Sequence, residues 1–205
     1  MADLVLLAAD KTIETGVTNL LSRPHALGCR AFAARSFVHV GRDPGCYRRA
    51  AEFLSGLAGQ YRHAIVIFDR EGSGATKDRS DIEAEVEERL SASGWNERAA
   101  CVVIDPEVEN WVWTDSPHLA ACLSWNEDIE LRQWLAGRGF WPEEAVKPPR
   151  PKEALQAVLR LTGQPRSSAV YGELARRVSV ARCTDPAFLK LRELIGRWFP
   201  AETRP

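Results

Sequence analysis

The chain has 205 residues, of which 45% are apolar and 27% charged, and its formal charge is -1. That length can bury a sizeable core as one domain, or as one domain with an appended part, while the near-zero charge excludes a global attraction for nucleic acid and leaves only a local basic patch. No run approaches the roughly 18 apolar residues of a membrane span, and "MADLVLLAAD" lacks a basic leader region, so a cytoplasmic protein with no membrane contact is expected.

In chain order, "LVLLA" (Leu4–Ala8) predicts a first strand, and "TIETGVTNLLS" (Thr12–Ser22) a helix after a short turn. "AFAARSFVHV" (Ala31–Val40) predicts a second strand or a hairpin, and "YRRAAEFLSGLAGQ" the helix after it, with "GRDPG" (Gly41–Gly45) as the turn between them. "HAIVIFD" (His63–Asp69) predicts a strand buried on both faces, because its apolar residues run together without alternation. "SDIEAEVEERLSAS" predicts a charged, solvent-facing helix capped by Ser80 or Asp81, and "AACVVID" (Ala99–Asp105) a fourth strand. Alternation of this kind predicts an α/β fold with a mostly parallel sheet flanked by helices.

Beyond it, "DIELRQWLAG", "PKEALQAVLRLTG", "SAVYGELARRV" and "DPAFLKLRELIGRWF" all carry helical periodicity between the breakers "PPRP", "GQP" and "CTDP". The C-terminal third is therefore expected to be helical. The boundary falls at "KPPRPK", which gives an α/β domain over 1–147 and a helical extension over 148–205 packed on it. Cys29, Cys46, Cys101, Cys122 and Cys183 are odd in number, widely spaced and without zinc-ligand partners, so reduced, packed thiols are expected.

Ligands of an open α/β sheet bind at the carboxyl ends of its strands. Asp10 follows the first strand, Asp69 and Glu71 the third, and Asp105, Glu107 and Glu109 the fourth. Any one of them could simply cap a helix or close a turn. Carboxylates gathered at neighbouring strand ends repel one another unless a hard cation such as Mg²⁺ screens them, which points towards phosphate chemistry. Asp69 and Glu71, spaced i, i+2, would share one side of an extended segment, with Gly72 and Gly74 allowing a sharp turn or close backbone approach. Arg35, Arg42, Arg48 and Arg49 read as a solvated helix start or as a local basic patch for a phosphate backbone, and Arg176, Arg177 and Arg182 add to a helical surface that could serve equally as a protein interface. No His has the Ser or Cys neighbour of a nucleophile elbow.

Three segments, "LLAADKTIETGVTNLL", "AIVIFDREGSG" and "IDPEVENWVWTD", resemble in order and spacing the Toprim-like proteins of bacterial antiviral defence cassettes, relatives of the RloB and OLD-type nucleases. Pro106, Val108, Glu109 and Trp111 match that family's P-x-(I/F)-E-x-W pattern, and "RCTDPAFLKLRELI" resembles its C-terminal helix. The small Toprim-like component of methylation-associated systems is the nearest likeness. The resemblance implies a Toprim-like sheet, Mg²⁺ held by Asp69, Glu71 and Glu109, and Asp10, Glu14 and Glu109 as the catalytic acids. It further implies other defence proteins as partners and nucleic acid as a candidate ligand. Ala9 stands where the family's glutamate belongs and Asp10 where its glycine belongs. Alanine cannot move a proton. Two expectations follow: a degenerate site in a subunit that binds partners, or an active Mg²⁺-dependent nuclease in which Asp10 substitutes from one position along. Trp111 and Trp113 are expected to brace the site from the core rather than stack on bases.

Overall fold

The computed structural model describes every residue except Asp115, residues 180–182 and residues 202–205. Of the second basic set, Arg182 lies outside the described residues. Leu4 to Ala8 are wholly shielded from solvent. Their strand, β1 (Ala2–Ala8), is apolar on both faces, as an interior strand covered by helices must be. Helix α1 (Lys11–Leu21) follows, then the single turn α2 (Pro24–Leu27) and β2 (Ala34–Val38), which is one edge strand and not a hairpin. Helix α3 (Arg42–Ser55) begins five residues before the expected Tyr47. Pro44 did not prevent this, because the first-turn N–H groups of a helix have no intrahelical partner to lose.

β3 (Tyr61–Asp69), α4 (Arg79–Leu90) and β4 (Ala99–Ile104) complete the sheet. All pairings are parallel, in the order β2-β1-β3-β4, with Ala8 beside Val38 and Ile67, and Asp69 beside Ile104. β1 to β2 steps one way across the sheet and β2 to β3 to β4 the other. Right-handed crossovers therefore put α1 on one face and α3 and α4 on the opposite one. The direction reverses beside β1, which marks the crevice between the carboxyl ends of β1 and β3 as the place for a ligand.

Short helices α5 (Glu109–Val112), α6 (Leu119–Cys122) and α7 (Leu131–Gly137) lead into α8 (Pro151–Leu161), α9 (Ser168–Arg177) and α10 (Pro186–Trp198). Helices accordingly crowd the C-terminal part, as the breakers predicted. α9 lies along α1 and α10 against β4. Residues from both parts, among them Val17, Leu159, Tyr171 and Leu191, join one continuous core. All five cysteines are free and buried.

One element departs from its sequence pattern. α4 reads as solvent-facing, yet Glu83 is 4% exposed. The outer edge of β4 explains it: the N–H groups of Val103 and Cys101 donate to Glu83 (3.0 Å) and Glu87 (2.9 Å), and Lys190 of α10 joins both carboxylates. These acids satisfy backbone donors that no strand pairs.

Candidate functional site

A cleft of about 780 Å³ opens at the carboxyl ends of the strands, and seven carboxylates and four cations line it. Asp10, Asp69, Glu71 and Glu109 are all among them, with Asp43, Glu107 and Glu153. The structure thus gathers four of the five candidate residues. The fifth, Glu14, is not in the lining; it accepts from Ser36 Oγ (2.7 Å) and pairs with Lys11 on the α1 surface. Burial pushes the Glu14 carboxyl up, but the bonds from Lys11 and Ser36 outweigh it and hold it below its ordinary value.

Asp10 leaves β1 and caps α1, its Oδ1 accepting the N–H of Ile13 at 2.9 Å. One oxygen therefore does the work of a helix cap. Ala9 is wholly buried, and its N–H donates to the Ile67 carbonyl at 3.1 Å. A longer side chain there would enter the core. Asp10 is the residue of this strand end that reaches the cleft.

Asp43 was hidden in "GRDPG". It sits in the first turn of α3, and its Oδ1 accepts the Asp69 N–H at 2.9 Å, tying α3 to the end of β3. A Cβ on Gly72 would stand 2.6 Å from Asp43 Oδ2, so this close approach is what the glycine permits. The neighbouring Arg42 opens the helix with φ 52°, a left-handed backbone that a residue with a side chain adopts at a cost.

Asp69 and Glu71 do not share an extended segment. The strand stops at Asp69 and residues Glu71–Ser73 form a 3-10 turn, so the i, i+2 alternation fails, although both side chains still face the cleft. The Asp69 carboxyl is raised well above its ordinary value, first by burial and then by Asp43, Glu109, Asp10 and Glu107. Its Oδ1 is buried without a hydrogen-bond partner. Burial also raises Asp43 and Glu107.

Of the three acids after β4, Asp105 pairs with Arg70 at 3.4 Å, and the other two are satisfied from the C-terminal part. Glu109, 1% exposed, accepts from Tyr171 Oη at 2.6 Å and from Arg166 at 2.8 Å, both on Oε1. Glu107, which falls at a variable position of the motif, is nearly as buried and pairs with Lys152 at 2.9 Å. Trp113 is packed in the core, as expected of a brace. Trp111 is half-buried, and its Nε1 donates to Asp185 (2.9 Å), the cap of α10.

Neither a family model, nor a curated protein, nor a solved structure matches the chain. The chemistry of the cleft must be read from its own residues. Carboxylate oxygens are the donors Mg²⁺ prefers, and the lone Asp69 oxygen suits a cation. In arrangement the fit is poor: among the described residues no group of three or more His, Cys, Asp or Glu is placed to hold a metal ion. Glu109 and Glu107 are turned to Arg166, Tyr171 and Lys152 instead.

The raised Asp69 carboxyl sets a pH dependence. Above about pH 4, where an unfolded aspartate ionises, the folded protein still holds this proton, so stability falls as pH rises towards the higher folded value. Asp69→Asn should flatten part of that slope and leave the variant more stable than the parent at pH 8, read from urea midpoints at several pH values. An unchanged slope would show that Asp69 does not carry the strain.

Proposed function

We propose that the protein is a Toprim-like component of a bacterial antiviral defence system, that its acidic cleft is degenerate, and that it serves as a subunit or binding partner of other defence proteins in the cytoplasm. The observation that carries the degenerate reading is the bonding of Glu109. Metal-assisted phosphodiester cleavage needs carboxylates free to hold cations near the attacking and leaving oxygens. Glu109, the recurrent acid of the resembling motif, instead spends Oε1 on Arg166 and Tyr171. A guanidinium of the chain itself supplies positive charge to this carboxylate. Asp10 is similarly engaged as a cap.

The alternative, an active Mg²⁺-dependent nuclease, draws support from the unpartnered Asp69 oxygen and from the presence of Asp10, Asp43 and Asp69 in one cleft. Mg²⁺ would there supply Lewis acidity to a phosphoryl group. The two readings separate on one assay: incubating the purified chain with single- and double-stranded DNA and with RNA, in Mg²⁺ or Mn²⁺. No cleavage above the protein-free blank is expected. Cleavage that vanishes in both Glu109→Gln and Asp69→Asn would sink the degenerate reading and establish the enzyme.

A further inference from the structure

The two edges of the sheet are finished differently. Glu83 and Glu87 occupy the outward N–H groups of β4 and Lys190 locks them in place, so no strand can add on that side. β2 has no such cover. Leu4 donates to the Ala33 carbonyl, and His39 donates to that of Ala8, so the odd-numbered residues of this segment face β1. Backbone groups of Ala34, Ser36 and Val38 consequently point outward. Among the described residues none of those three N–H groups has a hydrogen-bond partner.

Apolar side chains flank this open ladder. Val38 is 38% exposed, Val40 just beyond the strand is 96% exposed, and Phe53 of α3, 39% exposed, meets the Phe37 ring edge-on at 5.7 Å. Arg35 lies over the Phe37 ring at 5.5 Å. It is exposed and forms no ion pair among the described residues, whereas Arg42 lines the acidic cleft. An edge strand in a monomer is ordinarily blunted by charge, proline or a covering element. Here one edge is blunted and the other combines unpaired donors and acceptors, apolar flanks and free positive charge.

We propose that the outer edge of β2 receives an extended, acid-flanked segment of a partner protein, which adds a strand to the sheet. Backbone pairing supplies the affinity, and alternate side chains supply the selectivity. Apolar residues of the incoming segment lie against Phe37, Val38 and Phe53, and a flanking carboxylate meets Arg35. A nucleic-acid strand could use Arg35 but has no use for alternating N–H and C=O groups beside valine and phenylalanine. A second copy of β2 carries no carboxylate in Ala34–Val38, so it lacks the negative charge that would meet Arg35. The inference does not depend on whether the cleft is catalytic.

The test uses fluorescein-labelled Glu-Thr-Val-Thr-Val-Thr-Glu and its lysine-flanked counterpart, with the full chain titrated and anisotropy read. The acid-flanked peptide should bind, and roughly tenfold more tightly than the other. Val38→Pro removes an outward N–H without touching the β1 ladder, since proline is tolerated on the solvent side of an edge strand. It should weaken binding about tenfold, the equivalent of one backbone hydrogen bond. Ala34→Pro, at a second outward position, serves the same purpose if Val38→Pro fails to fold by circular dichroism. Arg35→Glu should invert the preference between the two peptides. The proposal is overturned by equal binding of the two peptides, by no binding, or by affinity unchanged in the proline variants. It is also overturned if a short single-stranded oligonucleotide displaces the peptide, or if the chain forms a dimer that Val38→Pro abolishes. None of these outcomes bears on the nuclease assay.

Discussion

Trp113→Ala should lower the unfolding free energy by about 3–5 kcal/mol, the range for truncating a buried aromatic whose site cannot collapse. Its ring is 1% exposed and meets Trp141 edge-on at 5.4 Å, and Trp141 in turn carries the Arg132 guanidinium 3.9 Å above its centroid. Such a stack leaves a rigid-walled cavity when one member is removed. The indole also donates to the Pro151 carbonyl at 3.0 Å. Pro151 opens α8, and Lys152 beside it is the partner of Glu107. The damage should therefore reach the cleft, raising Glu107 further as its cation is displaced. Trp111→Ala, at a half-buried ring, is the control and should cost only about 1–3 kcal/mol. Equal losses in a denaturant titration would mean that Trp113 is no special brace.

How much of this was legible in the sequence depended on the range of the interaction. The run Ala64–Phe68 announced a strand buried on both faces because its reason is local: no alternation means no solvent face. Acids at the ends of β1, β3 and β4 were legible for the same reason, since a strand end is where its apolar run stops. Asp43 was not. Its partner, the Asp69 N–H, lies 26 residues away at the far end of β3, and "GRDPG" satisfies every local rule for a turn. Arg166 and Tyr171, 57 and 62 residues beyond Glu109, were equally silent. Glu83 misled outright. In a helix this rich in charge it reads as solvated, and only the unpaired edge of β4 gives it a reason to be buried. The basic patch near β2 carried a local signal, but the open ladder that gives it meaning is a property of strand order.

The bonding of Glu109 also yields the sharpest test of the degenerate reading. Removing one member of a buried ion pair typically costs about 3–5 kcal/mol, because the remaining charge has no water to turn to. Arg166 keeps 46% of its side chain in solvent, which screens its pull on the Glu109 side chain, itself 2% exposed. Arg166→Ala should then fall at the low end, about 3 kcal/mol, and Tyr171→Phe, which deletes a bond to a charged acceptor, should cost about 1.5–3 kcal/mol. Glu109→Gln keeps the shape without the charge, and in its background Arg166→Ala should cost much less, a coupling that a double-mutant cycle measures directly. The decisive arm adds Mg²⁺. If the guanidinium has replaced a metal, Mg²⁺ should stabilise Arg166→Ala more than the parent chain, because a cation that binds only the folded state raises stability by mass action. An equal response in both would separate Glu109 from any metal site and leave its arginine and tyrosine as purely structural partners. A strong response in the parent alone would instead show that Arg166 holds Glu109 in place for a working cation site, and the degenerate reading would fail.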